Sequence, residues 1–353
     1  MKNKIYILLF ISLGIQAQTL RNYSNEFLNI GVDASAFGMG KAVTSTTNDV
    51  NAIYWNPAGL TKIEEQQASL MHAEYFQGIA KYDFIAYAKE INNTTAVGIS
   101  LIRFSVDDIL NTTQLIDSNG NIDFNRISLF NASDMALHVG FAKQVLMKNF
   151  DFGINAKIIH RRIGDFAQSW GFGLDAGFQY ETDNYKFGLM LRDITTTFNA
   201  WSIDSDAFDS IANAIPDQNQ EEPQSIELTK PKVQFGVSRN FEIGRFYKLT
   251  AAMDINMRFL KTNNIIASDF ISIDPAVGFQ FSYEDMVYLR GGVNNFQQQI
   301  NFDNSKSLSV QPNFGVGFKY NGIQVDYALA NIGGADGTLY SNVFSVKIDF
   351  SFF

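Results

Sequence analysis

Apolar and polar residues alternate strictly along much of this chain. In "NVFSVKIDFSFF" Phe344, Val346, Ile348, Phe350 and Phe352 share one face, and Ser345, Lys347, Asp349 and Ser351 share the other. "FYKLTAAMDINMRF" and "WGFGLDAGFQY" repeat the pattern, as do residues 271–283, with Pro275 on the apolar face at a position suited to a bulge. A period of two is the signature of a strand with one apolar face. The pattern predicts fourteen strands, at 67–76, 79–91, 94–105, 133–145, 150–161, 169–181, 184–193, 231–241, 246–258, 270–283, 286–297, 310–320, 323–331 and 342–352. Many run to ten or more residues, beyond the usual ~5–6 of soluble sheets and close to the ~9–11 that cross a bilayer at a tilt.

The connections supply an independent signal. Tight turns at Asn92-Asn93, Lys148-Asn149, Asp183-Asn184, Ile243-Gly244, Glu284-Asp285 and Asn321-Gly322 alternate with long links at 106–132, 162–168, 194–230, 259–269, 298–309 and 332–341. Short turns on one side and long loops on the other are the layout of an outer-membrane barrel, with its turns in the periplasm and its loops outside the cell. The expected fold is therefore an all-β, 14-stranded antiparallel transmembrane barrel over 67–353. A barrel of this size leaves a lumen that its own wall side chains do not fill. Residues 18–66 are expected to fill it as an N-terminal hatch, being too short to bury a core alone.

Composition narrows the setting. MKNKIYILLFISLGIQA (1–17) has the basic start, short apolar run and small final residue of a signal peptide. There is no cysteine, hence no disulfide, thiolate or lipoprotein chemistry. Aromatics make up 14% of the chain, yet no later window offers ~18 uninterrupted apolar residues for a membrane helix. The formal charge of −9 argues against a nucleic-acid partner.

Catalytic signals are missing. His72, His138 and His160 fall in separate strands without metal-ligand spacing, and no nucleophile elbow or phosphate loop is present. The sequence calls for no enzymatic activity and no cofactor. In the longest loop Phe208, Ile211, Ala212 and Ile215 keep helical spacing, an apolar stripe that needs cover from other loops or from a partner. Gly98 is the weak point of the third strand, a candidate for lateral exit from the lumen.

One stretch is specific. "FLNIGVDASAFGMGKA", with Gly38 and Gly40, is followed by "DVNAIYWNPAGL", with Asn56, Pro57, Ala58 and Gly59. Asn56 suits a helix N-cap with Pro57 in the first turn, and Gly59 can close it. These elements ahead of fourteen strands resemble the FadL-like outer-membrane barrels, and more closely the PorV/PorQ family of Bacteroidota. The resemblance implies that this element is the hatch. It further implies an accessory role beside an outer-membrane machine, above all type IX secretion. The partners would then be outer-membrane lipid, a translocon or other large barrel, surface lipoproteins and secreted cargo domains. FadL itself offers the alternative, passive transport of hydrophobic compounds across the outer membrane.

Overall fold

Alternation of this kind leaves each strand with one face for a filled interior and one for apolar surroundings, and the chain resolves it by closing on itself. The computed structural model describes residues 24–352 apart from 76–77, 117–119, 146–148, 206–225, 301–304 and 331–340. The leader therefore lies outside the described residues. Strands β1 (Gln66–Tyr75), β2 (Ala80–Asn92), β3 (Thr95–Asn111), β4 (Ser128–Gln144), β5 (Phe150–Ile163) and β6 (Ala167–Glu181) pair in sequence order. Next come β7 (Lys186–Arg192), β8 (Thr197–Ile203), β9 (Ile226–Thr229), β10 (Lys232–Ile243) and β11 (Tyr247–Arg258). The set ends with β12 (Ile266–Ala267), β13 (Ser272–Tyr283), β14 (Val287–Ile300), β15 (Lys306–Tyr320), β16 (Ile323–Ala330) and β17 (Ser341–Asp349). Strand β17 pairs back onto β1, from Gln67↔Asp349 to Glu74↔Asn342, so the ring is closed and antiparallel.

Seventeen strands make fourteen staves. Both β7 and β8 pair with β6, and they form one stave broken at residues 193–196. Across the break β6 moves from Ala176↔Leu191 to Phe172↔Phe198, while Asp193 and Thr196 take positive φ values of 56° and 58°. β9 and β10 form the next stave, interrupted at 230–231, and β12 is a short flank on β13. The fourteen-stranded ring agrees with the alternation. The stave ends do not all agree, since β3 extends to Asn111 and β4 begins at Ser128, which shortens the expected 106–132 loop. The expected loop 194–230 likewise contains β8 and β9.

Outward faces differ around the ring. On β15 seven successive outward positions are apolar: Leu308, Val310, Pro312, Phe314, Val316, Phe318 and Tyr320. On β1 only Ala68 and Leu70 precede His72 and Glu74, and on β2 only Ile85 and Tyr87 separate Asp83 from Lys89. There the outward surface carries paired polar and charged groups instead. His72 lies 2.7 Å from Asp83, Arg103 lies 3.9 Å from Asp83, and Lys81 lies 3.0 Å from Asp107.

Candidate functional site

Residues 24–63 form no strand, yet they supply nearly half of the buried apolar cluster. Phe27, Val32, Phe37, Val50, Ile53, Trp55 and Leu60 are all buried, together with inward wall residues such as Met71, Tyr82, Ile102 and Ile159. Local sequence sets the path. Asp33 caps α1 (Ala34–Gly38) by accepting from the Ser35 N–H at 3.2 Å. The next helical turn, α2 (Ala52–Trp55), runs into Asn56, whose carboxamide oxygen accepts from the Ala58 N–H at 3.3 Å. Pro57 then opens a 3₁₀ turn over Pro57–Lys62, where its missing N–H costs nothing. The Asn-cap and Pro-start expected from "NPAG" are present.

This segment touches strands all around the ring, because the wall carries glycines where it must approach. Four cross-strand glycine pairs face it: Gly98/Gly140, Gly153/Gly177, Gly188/Gly236 and Gly278/Gly292. A Cβ on Gly153 would lie 2.4 Å from the Pro57 carbonyl carbon, and one on Gly278 would lie 2.2 Å from the Met39 carbonyl oxygen. Gly38 meets Gly315, Gly40 meets Gly292 and Val293, and Gly59 closes on the Thr47 carbonyl. Sequence reading finds Gly38, Gly40, Asn56, Pro57, Ala58 and Gly59 on the inner segment and Gly98 on the wall, but not the other complementary glycines of the wall. Their cross-strand pairing at fixed registers is invisible until the strands are aligned.

Polar ties fix the orientation. The Asp254 carboxylate accepts from the Val43 and Thr44 N–H groups at 3.1 and 2.9 Å and from the Thr44 hydroxyl at 2.6 Å. Asn155 donates to the Ile53 carbonyl at 3.1 Å, Gln179 to that of Thr47 at 2.9 Å, and Arg192 to that of Tyr54 at 2.9 Å. Asn56 itself donates to Thr44 and to Phe178 on β6, at 2.9 and 3.1 Å. Buried carbonyls that would otherwise be orphaned are satisfied by wall side chains.

Charge is matched as well. Lys347 lies 2.7 Å from Asp49 and 3.5 Å from Asp33. Burial alone would raise the Asp33 carboxyl, but Lys347 and hydrogen bonds from Ser35 and Ser345 outweigh it and hold it below its ordinary value. The seated segment therefore binds fewer protons at Asp33 than a released one. The resulting stability is present above the unfolded value of about 3.8 and is lost as pH falls through the lower seated value. Asp33→Asn is expected to weaken the seat at neutral pH and to remove this acid step. Fluorescence of a chain with Trp55 as its sole tryptophan, titrated with acid, reads both effects; an unchanged acid step refutes the assignment.

Cavities remain on both sides of the segment. Toward the loop end, a space of about 280 Å³ is lined by Leu28, Ile30, Tyr54, Trp55, Met257 and Ala276, with Lys41, Lys232 and Arg258 also on its wall. Burial pushes the Lys41 amine down to about 8, against the pull of Asp274. A further space of about 580 Å³ adjoins it, sharing Arg258, Asp274 and Asn295. Toward the turn end, about 500 Å³ is lined by polar groups including Asp49, Lys62, Lys186, Gln280 and Lys347. No His/Cys/Asp/Glu cluster able to hold a metal occurs among the described residues.

Comparison with solved structures identifies the architecture. The toluene transporter TodX of Pseudomonas putida matches over 90% of this chain and 96% of its own, at TM-score 0.55 and 13% identity. The CymD monoaromatic hydrocarbon channel matches over 91% and 98%, at TM-score 0.56 and 12% identity. The toluene transporter TbuX of Ralstonia pickettii matches over 91% and 99%, at TM-score 0.53 and 12% identity. The fold is shared. At these identities the likeness concerns fold alone. No protein-family model and no curated protein matches the sequence, so no family match stands behind the PorV/PorQ resemblance.

The remaining sequence candidates separate. Gly98 sits in an unbroken ladder, opposite Ala88 and Gly140, where a Cβ would lie 3.3 Å from Ile53 and 3.5 Å from Leu60. The interruptions at 193–196 and 230–231 lie elsewhere in the wall. Phe208, Ile211, Ala212 and Ile215 lie outside the described residues. His138 is buried beside Ser100 and the Tyr54 ring, His72 faces outward, and His160 packs on Trp170, so the three share no site.

Proposed function

We propose that this chain is a non-enzymatic outer-membrane barrel that admits small, partly apolar compounds, with residues 24–63 acting as its hatch. The observation that carries this reading is the loop-end cavity. Its lining sets apolar and aromatic side chains from segment and wall (Leu28, Ile30, Tyr54, Trp55, Met257 and Ala276) among a larger number of charged and amide groups. An apolar patch flanked by placed polar groups suits a small, partly apolar molecule. Proteins named for toluene and monoaromatic transport share this fold, which supports the same class of cargo here. Deleting the gene should slow uptake of a labelled monoaromatic compound by intact cells, and the wild-type chain should restore it. Uptake unchanged by deletion removes the reading.

The resemblance of "DVNAIYWNPAGL" to PorV/PorQ members supports a second reading, an accessory of type IX secretion with outer-membrane and cargo partners. No solved neighbour described above carries such a role. Mild solubilisation of a tagged chain distinguishes the two. A stoichiometric secretion complex favours the second reading, and recovery of the barrel alone removes it.

A further inference from the structure

The chambers on either side of the inner segment meet at one residue. Of the described residues that line the loop-end cavity, only Trp55 also lines the turn-end cavity. Its indole is firmly held. The ring N–H donates to the Val32 carbonyl at 3.0 Å, and Tyr54 packs edge-on with ring centroids 4.9 Å apart. Gly31, at φ +105°, lies against the far edge of the ring, where a Cβ would come within 3.1 Å of it. The side chain is 4% exposed. Beyond it on both sides the linings are hydrophilic, with Gln234, Asn256 and Gln311 toward the loops and Lys62, Lys186 and Gln280 toward the turns.

We propose that Trp55 is the septum of an axial, hydrophilic route through this barrel, separating two water-filled chambers by a single apolar side chain. A short apolar barrier between wet compartments blocks ions and polar solutes by excluding water from the constriction. The solutes that such a route takes are small and water-soluble. The turn side carries closely paired charges, such as Lys347 with Asp49, while the loop side sets Lys41, Arg192, Lys232 and Arg258 against Glu26 and Asp274, so the loop-side chamber favours anions. This inference goes beyond the uptake reading and does not depend on which compound occupies the loop-end cavity.

The test is conductance of the full mature chain in planar bilayers in potassium chloride. Trp55→Ala should raise single-channel conductance roughly tenfold or more over the wild type, and Trp55→Phe by less, because a smaller ring still excludes water. Free indole added to Trp55→Ala should refill the seat and return conductance toward the wild-type level. A folded Trp55→Ala barrel that conducts like the wild type overturns the proposal. So does a raised conductance that indole leaves untouched, since that means the whole segment has left its seat. Failure of monoaromatic uptake in cells ends the uptake reading and leaves this result unaffected.

Discussion

Replacing Gly153 and Gly177 together by valine is expected to leave the wall closed and its interior open. The two face each other across β5 and β6, and their missing side chains make room for the Asn56-Pro57 step. A Cβ at 153 would stand 2.4 Å from the Pro57 carbonyl carbon, and one at 177 would stand 2.1 Å from the Asn56 carboxamide oxygen. Neither is a flexible tip that can swing aside. Retreat is also blocked, because Gly188 and Gly278 press equally closely on Thr44 and Met39 from other parts of the ring. Overpacking of this kind costs about 1–3 kcal/mol per site and more where backbone is struck. Valine suits a strand, and the ladder hydrogen bonds need no side chain, so the wall itself is spared. The expected result is trypsin cleavage after Lys41 and Lys62, which the seated segment resists, together with high conductance from a barrel that still shows heat-modifiable migration. Gly291→Val is the matched control, since a Cβ there meets nothing within 4 Å. Protection of both lysines in the double variant would show that the glycine pair does not set the seat.

The second large effect is expected at Lys157. Its ammonium lies 2.8 Å from Asp175 and 2.5 Å from Asp193, and all three side chains are nearly inaccessible. Asp175 also accepts from the Asp193 N–H at 2.8 Å, and Asp193 accepts from the Thr197 hydroxyl at 2.6 Å. The cluster thus ties β5 and β6 to the interruption between β7 and β8. Lys157→Met keeps the stem and removes the charge, leaving two carboxylates without their shared cation. Breaking a buried pair from one side costs about 3–5 kcal/mol, because the remaining charge stays desolvated. Urea unfolding in lipid should show that loss. The triple variant Lys157→Met, Asp175→Asn, Asp193→Asn should recover most of it, since neutral amides can keep several hydrogen bonds. A single variant within about 1 kcal/mol of the wild type would place the stability of this region elsewhere.

The contrast between what was readable and what was not follows from range. Alternation is local, so β11, β13 and β15 could be placed from their own residues, with Met253, Phe279 and Phe314 outward and Asp254, Gly278 and Gly315 inward. The broken staves defeated that logic. Asp193-Ile194-Thr195-Thr196 interrupts the period, so alternation places β8 and β9 in a loop although they continue the wall. β3 and β4 were cut short for a related reason, because the register shift between Val106 and Ile109 changes which residues face inward. In the inner segment the "WNPAG" turn was legible because its capping is local. Its docking was not. Asp254, Asn155, Gln179 and Arg192 come from four different strands, and nothing in their own neighbourhoods distinguishes them from ordinary lumen residues. The setting of Gly98 is likewise visible only in the fold, where Ile53 and Leu60 occupy the space it leaves.

The uneven outer surface has a consequence for the membrane rather than for the lumen. Six residue steps on β1, from Gln66 to His72, rise only about 14 Å at a tilt near 45°, whereas the twelve steps of β15 from Leu308 to Tyr320 rise about 28 Å. No flat bilayer fits both heights. Lipid beside β15 meets a wall of ordinary thickness, while lipid beside β1 and β2 has to shorten or splay to bring its headgroups down to His72, Asp83 and Arg103. A bilayer around this barrel is therefore expected to be thinner on the β1 and β2 flank than beside β15, at a cost of fractions of a kcal/mol per Å of mismatch.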